Sequence, residues 1–91
     1  MLVLTREVGQ SIIINEATII TVTINVPGFA ELFQLDTISG QKRVVTLALG
    51  ELQWILTEVA VVLIRQPENK VRLGFEYPRH IRIRRGEDLF D

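Results

Sequence analysis

Most of this 91-residue chain alternates between β-branched or apolar residues and others at every second position, as in TIITVTI at 18–24 and VAVVLI at 59–64. That period places successive side chains on opposite faces of an extended backbone, so strands are the expected element. The pattern predicts strands at about 1–7, 10–14, 18–25, 43–49, 58–65, 70–76 and 79–85, an all-β fold. Between them, VPG at 26–28, SGQ at 39–41 and QPEN at 66–69 carry the Pro, Gly and Asn that tight reversals use. Tyr77-Pro78 separates the last two strands, because proline pushes the preceding residue to extended geometry and donates no backbone hydrogen bond. Two pieces have helical spacing instead: Phe29, Leu32 and Phe33 in FAELFQLD, and Leu52, Ile55, Leu56 and Val59 in ELQWILTEV. They predict one or two short helices, the second reaching about Thr57. No internal repeat is expected, although TIITVTI and VAVVLI resemble each other.

A chain of this length makes one domain, residues 1–91, whose β core buries a modest share of its surface, so help from a partner subunit is expected. The absence of cysteine removes disulfides, thiolate zinc sites and cysteine nucleophiles, and fits a reducing compartment, the cytoplasm. The longest apolar run, Val59 to Ile64, is too short to span a bilayer, and MLVLTRE lacks the layout of a secretory signal, so no membrane association is expected. His80 is the only imidazole. With no base beside a candidate nucleophile, no phosphate-cradling glycine loop and no metal-ligand spacing, the chain is read as a non-enzyme without metal or cofactor. Trp54 and the four phenylalanines, on periodic apolar faces, are expected in the core.

The net charge of −1 conceals a segregation. Residues 1–64 carry −3, residues 65–85 carry +5 and residues 86–91 carry −3. A local cationic band attracts a polyanion whatever the total charge. The band ends in PRHIRIRR, 78–85, where strand parity puts Arg79, Ile81, Ile83 and Arg85 on one face and His80, Arg82 and Arg84 on the other.

MLVLTREVGQSIII at 1–14 and EVAVVLIRQPENKVRLGFEYPRHIRIRR at 58–85 resemble the carbon storage regulator (CsrA/RsmA) family. The first resembles its opening strand, glycine turn and second strand; the other resembles its third to fifth strands, with the proline before the last. Residues 15–57 stand as an inserted segment between strands two and three, where an unusual subgroup of the family also carries one, with a rearranged dimer. An alternative alignment takes ATIITVTI as strand three. The resemblance implies an intertwined homodimer that binds single-stranded RNA loops containing GGA in messenger leaders, or small regulatory RNAs, and blocks ribosome access. A protein antagonist is a further partner it implies. In such dimers the first strand of one chain lies beside the fifth of the other. The site carried over comprises Leu4, Thr5, Arg6, Arg79, Ile81, Ile83 and Arg85, with Arg84 as the alternative to Arg85 because Gly86 interrupts the junction. An apolar floor flanked by guanidinium groups suits unstacked bases and phosphates. Glu7 stands where the family commonly has a second arginine, and GEDLFD leaves little of the helix that usually follows. The competing expectation is a paralogue that keeps the dimer fold but acts through protein contacts.

Overall fold

In the computed structural model, which describes residues 1–89, the chain is all-β. The strands are β1 (Leu2–Arg6), β2 (Ser11–Ile14), β3 (Thr18–Val26), β4 (Phe29–Asp36), β5 (Lys42–Ala48), β6 (Leu52–Leu56), β7 (Val59–Arg65), β8 (Val71–Glu76) and β9 (Ile83–Arg85). Short 3-10 turns occupy Pro67–Asn69 and Gly86–Leu89. Phe90 and Asp91, the end of the acidic tail, lie outside the described residues. All pairings between strands are antiparallel, in two sheets ordered β1-β8-β7-β6 and β5-β4-β3-β2-β9. Between them lies one core that includes Leu4, Ile12, Ile14, Ile20, Leu32, Leu47, Leu63, Leu73 and Phe75.

Both segments expected as short helices are strands. In β4 the buried residues are Ala30, Leu32 and Gln34, spaced by two, while Phe29 and Phe33 belong to the other face. With apolar side chains on both faces, positions 29, 32 and 33 mimic a helical stripe. In β6 a bulge between Trp54 and Leu56 breaks the alternation. Trp54 is not core: it is 61% exposed. The strand expected over 79–85 forms only at 83–85, because Arg79 and His80 sit in a turn closed by the Ile81 amide donating to the Pro78 carbonyl at 3.1 Å. The parity argument therefore keeps Ile83 with Arg85 and loses Arg79.

The chain contains a structural repeat that its sequence hid. Residues 2–36 and 43–77, a constant 41 positions apart, each form four strands, yet only five of these 35 pairs are identical. The pairs Leu4/Val45, Ile14/Ile55, Ile20/Val61, Val22/Leu63, Ala30/Val71 and Leu32/Leu73 are buried in both units. Gly9 and Gly50 both have left-handed backbones (φ 93° and 82°), and their amides donate to Val22 and Leu63 carbonyls at 2.8 and 2.7 Å. Even the register irregularities correspond, Val22/Ile24 in β3 and Leu63/Arg65 in β7.

The two units exchange their first strands. β1 pairs with β8 of the second unit, and β5 pairs with β4 of the first. Each unit is by itself a three-stranded sheet with an open edge, and the other unit's leading strand satisfies that edge's backbone groups. Residues 15–57 supply β3, β4, β5 and β6, from both units and both sheets. Among the described residues β9 is the one strand without a counterpart; it extends the second sheet beyond β2, pairing Ile12 with Arg85, Ile13 with Arg84 and Ile14 with Ile83.

Candidate nucleic-acid interface

The two segments that carry the family resemblance meet at one seam of the sandwich. β1 ends the first sheet and β9 ends the second. They are linked where the Arg6 Nη1 donates to Glu87 Oε1 at 2.5 Å and to the Ser11 carbonyl at 3.3 Å, while Arg6 Nε donates to the Thr5 carbonyl at 2.9 Å. Arg6 is only 5% exposed. Burying a guanidinium is costly unless it is paired and its N–H groups are used, and this one is held by a carboxylate and two carbonyls. Gly86 explains itself here. A Cβ on it would stand 2.9 Å from the Ser11 Cβ and 3.0 Å from the Ser11 oxygen, so only glycine lets the chain leaving β9 lie against β2 and bring Glu87 to Arg6.

The Glu87 carboxyl is held down to about 2, from an ordinary 4.5, first by the hydrogen bond from Arg6, then by its own backbone amide, with the positive charges of Arg6 and Arg85 adding to the effect. A carboxyl depressed in the folded state contributes stability above pH 4.5 that is lost as pH falls toward 2. Denaturant unfolding across that window should show stability falling with acid, and Glu87→Gln should flatten the decline. An unchanged slope in the variant would show that the Arg6 contact is not what holds this carboxyl ionised.

The residues expected to form an open groove divide into three groups. Leu4 is buried in the core opposite Leu73, and Arg6 is sealed in the seam, so neither forms an accessible floor. Ile81 and Ile83 are half-buried against the core. Ile83 and Arg85 share the face of their register partners Ile14 and Ile12, and Arg85 is exposed. Thr5, half-buried, is paired with Arg72 of β8. Arg79 is exposed in its turn. Arg84 lies on the opposite face from Arg85 and donates from Nη2 to Glu16 at 2.6 Å.

Arg72 and Arg82 were not singled out from the sequence. Arg72 is exposed next to Thr5, a neighbour set by cross-strand register that no local motif reveals. Arg82 is exposed, and its backbone exchanges hydrogen bonds with Asn15: its amide donates to Asn15 Oδ1 at 2.9 Å and its carbonyl accepts from the Asn15 amide at 2.8 Å. Among the described residues, no carboxylate lies within ion-pair distance of Arg72, Arg79, Arg82 or Arg85. His80 is occupied by Glu58 at 2.6 Å, and Glu7 faces Lys70 at 3.9 Å. The accessible chemistry is this set of four guanidiniums, carried by β8, β9 and the segment between them. Among the described residues no helix is long and apolar enough to cross a membrane. The chain matches no family model, no curated protein and no solved structure.

Proposed function

We propose that this protein is a cytoplasmic, non-enzymatic RNA-binding regulator that holds single-stranded loops on the arginines around the β1–β9 seam. The observation that carries this reading is that Arg72, Arg79, Arg82 and Arg85 remain exposed and without carboxylate partners among the described residues, although the chain as a whole is slightly acidic. Exposed guanidiniums release counterions when they meet phosphates, and their planar forks match phosphate and guanine edges. The resemblance of residues 1–14 and 58–85 to the carbon storage regulator family supports the finer statement: GGA-containing loops of messenger leaders as ligand, and occlusion of the ribosome as effect. With Leu4 and Arg6 closed off, the bases have Ile81, Ile83 and exposed strand-end backbone to contact, and the phosphates have the arginines.

Mobility shift with a GGA hairpin tests it. Sub-micromolar binding that weakens with added salt and exceeds binding to a scrambled loop is the expected result. Equal, weak binding to both loops would favour the other reading, a protein-interaction module. That reading draws on β6, where Leu52 and Trp54, with nearby Leu49, expose apolar surface on a strand (LQWIL) that carries no charge.

A further inference from the structure

We infer that a single chain is the complete binding unit and carries one RNA site where its internal symmetry provides places for two. The site count rests on the function proposed above; the single-chain assembly does not. Exchanging the two units maps the pairing of β1 with β8 onto that of β5 with β4, and β2-β3-β4 onto β6-β7-β8. Every edge that calls for a first strand from outside its unit therefore receives one from the same chain. A second copy has no such edge left to fill.

The symmetry fails in one place. After β8 the chain continues through residues 77–82 into β9, but after β4 it turns at once into β5. Asp36 Oδ1 accepts from the Ile38 and Ser39 amides at 2.9 and 3.2 Å, and the Gly40 amide, at a left-handed φ of 77°, returns to the Asp36 carbonyl at 2.8 Å. This tight turn leaves no residues for a counterpart of β9, so among the described residues β6 has β7 on one side and no strand on the other.

Side chains close the second seam instead. Gln34 Nε2 donates to the Ile55 carbonyl at 2.9 Å, Arg43 Nη1 to the same oxygen at 3.5 Å, and Gln53 Nε2 to the Thr46 carbonyl at 2.5 Å. The bulge in β6 falls at Ile55. Most of the ligand chemistry is gone as well. Arg6 is matched 41 positions on by buried Leu47, and the positions that match Arg79 and Arg82 are Ile38 and Gln41 in the turn. One seam thus has its last strand and a set of exposed arginines, whereas the other, among the described residues, has no such strand and a single arginine, Arg43, turned onto the Ile55 carbonyl.

Light scattering on the full chain at micromolar concentration, alone and titrated with a GGA hairpin well above its dissociation constant, tests both parts. The expected outcome is a mass of 10.4 kDa for the free protein, rising on titration by one RNA per chain and then no further. Twice that mass for the free protein would overturn the single-chain assembly, even if RNA still bound. Two RNAs per chain would overturn the site count. A monomer that takes up no RNA at all would defeat the RNA reading and the site count with it, while supporting the single-chain assembly.

Discussion

Phe75→Ala should remove a large share of this protein's stability. Phe75 is fully buried in β8, paired with Leu2 of β1 on one side and Val61 of β7 on the other, so it packs where one unit's first strand meets the other unit's sheet. Truncating a buried phenylalanine costs about 3–5 kcal/mol. A domain of this size holds roughly 5–14 kcal/mol in all. A urea titration should show the midpoint falling in proportion, by at least about a fifth of its wild-type value. Trp54→Ala is the control: a larger aromatic, but 61% exposed, so its loss should shift stability by no more than about 0.5 kcal/mol. Equal effects from the two would mean that the assignment of inner and outer faces is wrong.

Replacing Arg79, Arg82 and Arg85 together with alanine should abolish useful RNA affinity and leave the fold intact. All three are exposed, and among the described residues none is within ion-pair distance of a carboxylate, so thermal unfolding should barely move. A specific arginine contact is worth about 1–3 kcal/mol, so three should weaken binding by at least about 100-fold. For single-stranded RNA the slope of log affinity against log salt should become shallower by about 2, since each phosphate contact contributes about 0.7. Retained affinity in the triple variant would move the site elsewhere. Arg6→Ala is a poor substitute for this test, because it strips the partner from Glu87 in a buried seam and confuses folding with binding.

Seven of the nine strands among the described residues were legible from period two, and the two missed failed for separate reasons. β4 carries phenylalanines outside and buries Gln34, so the hydrophobic pattern points to the wrong residues; β6 contains a bulge that resets its parity. The similarity of TIITVTI and VAVVLI, which left two alignments open for strand three, has a structural reason: these are β3 and β7, equivalent strands 41 residues apart. Only five identities accompany that equivalence, because burial and turn geometry constrain residue class and glycine placement far more than identity. The site was legible as a charge pattern and not as geometry. Nothing local announces that Glu87 will capture Arg6, that Leu4 will face inward, or that Arg72 will stand beside Thr5; these follow from pairings across 67 to 81 residues of chain.

Isotope-filtered NOE spectra of an equimolar mixture of labelled and unlabelled chains test the exchange of first strands most directly. Contacts from Leu4 to Leu73 and from Leu32 to Val45, the register pairs that join the two units, should appear only within a labelled chain. Cross-peaks between labelled and unlabelled chains at those pairs would contradict it, showing that β1 and β5 find their sheets in another molecule.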